Sequence, residues 1–223
     1  MNFFTNIFEN MNDEQKESFY KTVILNDTSE YAQKARYTYY KSVLKHLGDN
    51  VKIGAGVKFE NPQFISIGDN VTIGDNSTLI ARGEGGITIG DKVIICERVY
   101  LDTENHDTGY IRIDHSAYIG TGTTLFGHHG LEIGDNALLA QNISLTPYSH
   151  IFENPDDNII NQGGHSKKVT IGRDAYIGMN VSVMYSGDIG TGSVIGAGSV
   201  VVKPIPEYSV AVGNPAKVIR KRG

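Results

Sequence analysis

The sequence predicts a mostly-β fold, a parallel β-helix of hexapeptide repeats, and three observations carry that reading. From Val51 onward an aliphatic residue recurs every sixth position, usually followed by glycine: IGAGVK at 53, IGDNVT at 67, IGDNST at 73, IGDKVI at 89, IGTGTT at 119, IGDNAL at 133, IGRDAY at 171, IGMNVS at 177, IGTGSV at 189 and IGAGSV at 195. A period of six is neither helical nor a simple alternation; each hexapeptide supplies one short strand and one corner. Gly and Asn stand where tight corners need unusual backbone angles. All six prolines (Pro62, Pro147, Pro155, Pro204, Pro206 and Pro215) fall outside the clean repeats, as strand chemistry demands.

Three elements follow in order. Residues 1–48 form an N-terminal helical region. NDEQKESFYKTVIL offers Asn12 or Asp13 as N-cap, and the stretch from Asp27 closes with Gly48 at the expected end of a second helix. Tyr31, Ala35, Tyr39 and Val43 recur at four-residue spacing and mark the expected packing face. Residues 49–203 form the β-helix, with a long loop at 146–168. Residues 204–223 form a basic C-terminal tail or cap, because a solenoid needs its ends covered.

Three hexapeptides make one coil, so the inward stack is predicted residue by residue. The triplets are Ile67/Ile73/Leu79, Ile89/Ile95/Leu101, Ile113/Ile119/Leu125, Ile133/Leu139/Leu145, Ile171/Ile177/Val183 and Ile189/Ile195/Val201, with Ile53 and Phe59 opening a partial first coil. Coil starts lie 22, 24, 20, 38 and 18 residues apart, and everything beyond 18 is insertion. The insertions follow the third strand, so they leave from one edge of the prism. Five of the seven histidines (His106, His128, His129, His150 and His165) belong to that edge. A regular scaffold with irregular, His-bearing loops on one edge is a way to graft a site onto a fold.

Composition narrows the function classes. A net charge of −5 gives no overall basic character for nucleic acid. The tail is locally basic, with Lys203, Lys217, Arg220, Lys221 and Arg222 against Glu207, which suits an anionic ligand. The single cysteine, Cys96, permits no internal disulfide and no thiolate-built metal site, and fits a reducing, cytoplasmic compartment. MNFFTNIFEN lacks the basic start of a signal peptide, and no apolar run reaches membrane-spanning length.

The repeat array, the long loop that opens with His150, and the closing string IGAGSVVVKPIPEYSVAVGNPAKVIRK together resemble the hexapeptide-repeat acyltransferases, in the maltose/galactoside and surface-polysaccharide O-acetyltransferase branch. The resemblance covers about residues 50–221. It implies a left-handed β-helix, a homotrimer with active sites between subunits, acetyl-CoA as co-substrate, a sugar or polysaccharide hydroxyl as acceptor, and no metal. It assigns the general base to His150. Imidazole, with an ordinary pKa of about 6.5, can take a proton from an attacking hydroxyl and return it to the departing thiolate.

The same resemblance implies coenzyme A contacts at Met179, Ala197, Val202, Lys203, Lys217 and Arg220, with the Met179 amide as oxyanion donor. His128 and Tyr176 become acceptor-site residues. His128 stands where the sugar acetyltransferases carry an acid, Gly120 where they carry an asparagine, and Tyr176 where relatives often carry tryptophan. An imidazole at 128 leads to the expectation that acceptors with carboxylate or phosphate are better tolerated. Because Cys96 lies away from the histidine loop, direct transfer is expected. Two alternatives use the same scaffold: N-acylation of an amino sugar or other amine, and a zinc enzyme similar to the γ-class carbonic anhydrases.

Overall fold

The computed structural model describes residues 10–19, 24–104 and 107–223. His106 lies outside the described residues. The body is a parallel β-solenoid of about 7 turns, the three-sided architecture that the repeats predict and consistent with the left-handed helix.

Among the described residues two short helices precede it. Helix α1 (Asp13–Phe19) is closed by a reciprocal cap: Gln15 N donates to Asn12 Oδ1 at 2.8 Å and Asn12 N donates to Gln15 Oε1 at 3.0 Å. Helix α2 (Glu30–Val43) is capped by Ser29, whose hydroxyl accepts from Ala32 N. It ends at Val43, not near Gly48, and His46–Leu47 already form the first strand. The buried face of α2 is Ala32, Arg36 and Tyr40, one residue round from the expected stripe, and Tyr31 is 65% exposed.

The rotation has a physical cause. Among the described residues no coil lies beneath the first one, so its downward carbonyls need donors. Arg36 Nε donates to Ile53 O at 2.9 Å, Tyr37 OH to Gly48 O at 3.1 Å and Tyr40 OH to Val57 O at 3.2 Å; Lys41 Nζ donates to Leu47 O. Arg36 Nη1 also reaches Ile24 O at 2.9 Å and Asp27 O at 2.6 Å. Polar tips, rather than apolar bulk, decide which face of α2 turns inward.

Above this plug the prism has three walls. Sheet I runs through His46–Leu47, Ile65–Ile67, Ile87–Ile89, Ile111–Ile113, Leu131–Ile133 and Val169–Ile171. Sheet II runs from Lys52–Ile53 through Thr72–Ile73, Ile94–Ile95, Tyr118–Ile119, Leu138–Leu139, Tyr176–Ile177 and Val194–Ile195 to a terminal hairpin, Ser209–Val212 with Lys217–Lys221. Sheet III holds Lys58–Glu60, Thr78–Ile80, Tyr100–Asp102, Thr124–Phe126, Ser144–Leu145, Ser182–Val183 and Val200–Val201.

The inward columns pair one to one. Ile67, Ile89, Ile113, Ile133 and Ile171 are successive partners in sheet I. Ile73, Ile95, Ile119, Leu139, Ile177 and Ile195 follow in sheet II. Leu79, Leu101, Leu125, Leu145, Val183 and Val201 follow in sheet III. All are essentially closed to solvent. Leu47, in register with Ile67, completes the first coil.

Outward rows differ between walls. Sheet I shows Ser66, Thr88, Arg112, Glu132 and Thr170 to solvent, and sheet III shows Thr78, Tyr100, Thr124, Ser144 and Ser182. Sheet II instead stacks Ile94, Tyr118, Leu138, Tyr176 and Val194 outward, and Ile94, Leu138 and Tyr176 are 44%, 43% and 42% exposed.

Candidate active site

The insertions all emerge where sheet III turns back to sheet I. The longest one rises from Leu145 as an antiparallel hairpin, Tyr148–His150 paired with Gly164–Ser166. Its base is anchored from two sides. Lys168 Nζ donates to Glu132 Oε2 at 3.0 Å, and Glu132 Oε1 takes the Tyr110 hydroxyl at 2.8 Å. Burial and this carboxylate push the Tyr110 phenol up to about 12. The Tyr110 ring lies across Gly130 (φ +111), where a Cβ would sit 2.5 Å from ring carbon Cε1. On the returning strand Ser166 Oγ lies 2.7 Å from His129 Nδ1, which also lies 3.2 Å from Thr108 Oγ1. His129 therefore holds the hairpin rather than facing a solute through that nitrogen.

Farther out, Gln162 closes the loop on itself. Its Nε2 donates to Asn154 O at 2.8 Å and Asp157 O at 2.9 Å, and its Oε1 accepts from Asn154 N at 3.1 Å.

His150, at the top of the rising strand, is exposed. Its ring packs edge-on against Tyr148 at 5.0 Å and 88°. Tyr148 in turn stacks on His128 at 4.8 Å and 17°. Below, Phe126 meets His128 edge-on at 6.2 Å and Tyr100 at 6.1 Å. Above, His165 stacks with Tyr185 at 6.3 Å. His128 and His150 thus share one column, as coil arithmetic requires. Burial pulls the His128 imidazole below its ordinary pKa against the opposing pull of the Glu104 and Asp102 charges, so it is neutral at pH 7. Its Nδ1 is buried without a partner among the described residues.

The remaining site residues divide between edges. Val202 and Lys203 follow sheet III and share the histidine edge at its upper end, both exposed. Met179 and Ala197 occupy the opposite margin of sheet III, in the turns from sheet II, with Gly198 N donating to Met179 O at 2.8 Å. Close stacking there depends on glycine: a Cβ on Gly178 would lie 2.7 Å from Ala197 N. Lys217 pairs with Val212, whose Cγ1 would be 2.6 Å from a Cβ on Gly196, so Lys217 stands at the same margin. Arg220 pairs with Val210 farther along the hairpin and is exposed. Tyr176 faces outward from sheet II. One chain therefore brings His150 together with His128, but not with Met179, Ala197, Tyr176 or Lys217.

Gly120 has a steric reason to lack a side chain, because a Cβ there would fall 2.4 Å from Ala140 O. A group absent from the sequence reading is the Arg82–Asp102 pair below His128, bidentate at 2.8 and 2.6 Å. Its signal was available in the repeat: Arg82, Glu104, His128 and Tyr148 all stand three residues after an inward leucine.

Among the described residues no cluster of three or more His, Cys, Asp or Glu is arranged to hold a metal ion, and no helix is long and apolar enough to cross a membrane.

A sequence profile described as the hexapeptide repeat of succinyl-transferase matches residues 64–102 and 168–203. A probable acetyltransferase of Mycobacterium tuberculosis is 35% identical over 175 residues, 77% of this chain and 50% of that protein. Galactoside O-acetyltransferase of Escherichia coli is 34% identical over 136 residues, 60% of this chain and 63% of that protein. The chain belongs to the hexapeptide-repeat acetyltransferase family. It spans about half to under two thirds of the length of these curated relatives. Among solved structures, an N-acyltransferase variant from Bacillus cereus, in complex with dTDP-4-amino-4,6-dideoxyglucose and coenzyme A, shares the fold at a TM-score of 0.62. It is 22% identical and covers 84% of this chain and 89% of its own.

Proposed function

We propose that this hexapeptide-repeat protein moves an acetyl group from acetyl-CoA to a hydroxyl of a sugar or surface-polysaccharide unit by direct transfer. The observation that carries the reading is the display of His150 on an anchored hairpin, beside the Tyr148–His128 stack and on the edge that ends in Val202 and Lys203. His150 takes the hydroxyl proton as the acceptor oxygen bonds to the thioester carbonyl carbon. The carbonyl oxygen gains charge, the C–S bond then breaks, and the proton passes from His150 to the thiolate of coenzyme A. Lys203, Lys217 and Arg220 are the cations offered to the coenzyme A phosphates. Met179 and Ala197 line the path of its pantetheine arm, and the Met179 amide is the oxyanion donor. The Bacillus cereus protein shows that this scaffold accommodates coenzyme A.

Because His150 and Met179 flank opposite margins of sheet III, a complete site needs a neighbouring copy, and the homotrimer is part of the proposal. The outward Ile94–Tyr118–Leu138–Tyr176 row supports it, since a parallel sheet with an apolar outer face calls for cover.

A mass-spectrometric screen with acetyl-CoA and a panel of sugars, nucleotide sugars and amines tests the reading. A gain of one acetyl group on a hydroxyl-bearing sugar is expected. Acetylation of amines alone would replace O-transfer by N-transfer, and no coenzyme A release with any acceptor would overturn both.

A further inference from the structure

Below His128 the histidine edge continues for two coils, and its chemistry changes. Asp102, wholly buried, accepts from Arg82 Nε at 2.8 Å, Arg82 Nη2 at 2.6 Å, Tyr100 OH at 3.0 Å and Glu104 N at 2.8 Å. Four donors saturate a carboxylate. Burial alone would raise the Asp102 carboxyl, but these bonds outweigh it and hold it below the ordinary range. Asp102 is therefore a mount. It fixes the plane of the guanidinium and leaves Nη1 without a partner among the described residues, on a side chain 35% exposed.

Glu104 stands beside it in the left-handed region at φ 58. Its carboxylate makes no hydrogen bond or ion pair among the described residues, yet its charge is felt at Arg82, Tyr100 and His128. One guanidinium against two carboxylates, with a neutral His128 above, leaves the foot of the edge negative.

An oriented N–H next to an unspent carboxylate is a donor–acceptor pair available to a solute. The geometry points to a second acceptor subsite, in which Arg82 Nη1 and Glu104 clasp a hydroxyl- or ammonium-bearing ring remote from the acetylated group. The clasp deepens the acetyl-transfer reading of this edge and rests on it. Glu104 follows the third coil and His150 the fifth, a rise of about 10 Å at the 4.7–4.9 Å strand spacing. A single sugar ring does not touch both; two linked rings do. The acceptor class is therefore an oligosaccharide, neutral or amine-bearing at the held end. The preference for anionic acceptors expected from an imidazole at 128 is reversed, because Glu104 repels a carboxylate or phosphate.

The test uses three β-1,4-linked dimers as probes: cellobiose, the glucosamine dimer and cellobiouronic acid. Each is titrated calorimetrically into the full chain with coenzyme A present, and into Glu104→Gln, which keeps the backbone donor to Asp102. The glucosamine dimer is expected to bind the wild type about tenfold more tightly than cellobiose, the scale of one charge-assisted hydrogen bond, with cellobiouronic acid weakest. Glu104→Gln should erase that order, while monomeric glucosamine should not distinguish the two proteins. Dimers that bind without regard to charge, no binding by any dimer, or an order that survives Glu104→Gln would each overturn the clasp. Its failure is separable from that of acetyl transfer: charge-blind binding with ordinary coenzyme A release removes the clasp alone, whereas absent release removes the transfer reading.

Discussion

The corner between sheets I and II and the corner between sheets III and I belong to the same prism but follow opposite rules. At the first, each coil satisfies the one below it through a side chain. Asp49 N donates to Asp69 Oδ1, Asp69 N to Asp91 Oδ1, Asp91 N to His115 Nδ1 and His115 N to Asp135 Oδ1, at 2.7–3.1 Å. The following residue is left-handed every time: Asn50, Asn70, Lys92, Ser116, Asn136 and Asp174, at φ 56–60. At the second corner no such register repeats among the described residues, and Glu104, the Arg82 Nη1 and His150 keep polar capacity that those residues do not use. A corner that spends its side chains on its own backbone has nothing to offer a ligand. Irregular length is what frees side chains for chemistry.

Both corners rest on one core, and the largest expected effect lies there. Leu125→Ala, at a fully buried position that in-register partners cover above and below, should destabilise the fold by about 3 kcal/mol and be read as a lower denaturation midpoint. An unchanged midpoint would mean the coils are not mechanically coupled.

His150→Ala should act on one corner only, lowering kcat by at least about 10²-fold with the midpoint unmoved. Wild-type turnover in this variant would remove the base assignment. Lys217→Ala should weaken acetyl-CoA binding by about tenfold at low salt and less at high salt. Equal affinities at both would leave the tail a mere cap. At the regular corner between sheets II and III, Asn142 sits at φ 58, and Asn142→Ala should cost about 1 kcal/mol without touching kcat.

The smallest effect concerns pH. Because the folded state holds His128 below its ordinary pKa, the unfolded chain binds the extra proton first. Stability is thus unaffected above about pH 6.5 and falls as pH drops from there through the lowered value. His128→Gln should flatten that slope in urea titrations run from pH 7 to pH 5; a slope identical to wild type would show that the imidazole is not shielded.

The same contrast explains what could be read in the sequence. Inward columns were legible to the residue because a coil repeats its own local chemistry, and a six-residue period has one structural meaning. The common edge of the insertions was legible too, since it follows from counting. The face of α2 was not, because an apolar stripe says nothing about which carbonyls lack partners, and Arg36 and Tyr40 answer that need. The column of Arg82, Glu104 and His128 was legible by the same counting, but the bidentate bond to Asp102 was not, because Asp102 ends a strand and its pairing depends on how the Arg82 side chain folds back. The separation of His150 from Met179 follows from the same counting, since Met179 comes after the second-strand Ile177 and His150 after the third-strand Leu145.

Helix α2 has one more consequence. A parallel solenoid that ended on bare carbonyls would offer a template to any extended strand, including the first coil of another molecule, and stacking of that kind has no natural stop. Arg36, Tyr37, Tyr40 and Lys41 occupy those acceptors with side chains that propagate nothing. At the other end the antiparallel return of Lys217–Lys221 reverses strand direction. The described solenoid is thus closed by two chemically different stoppers, side-chain donors at one end and a reversed strand at the other.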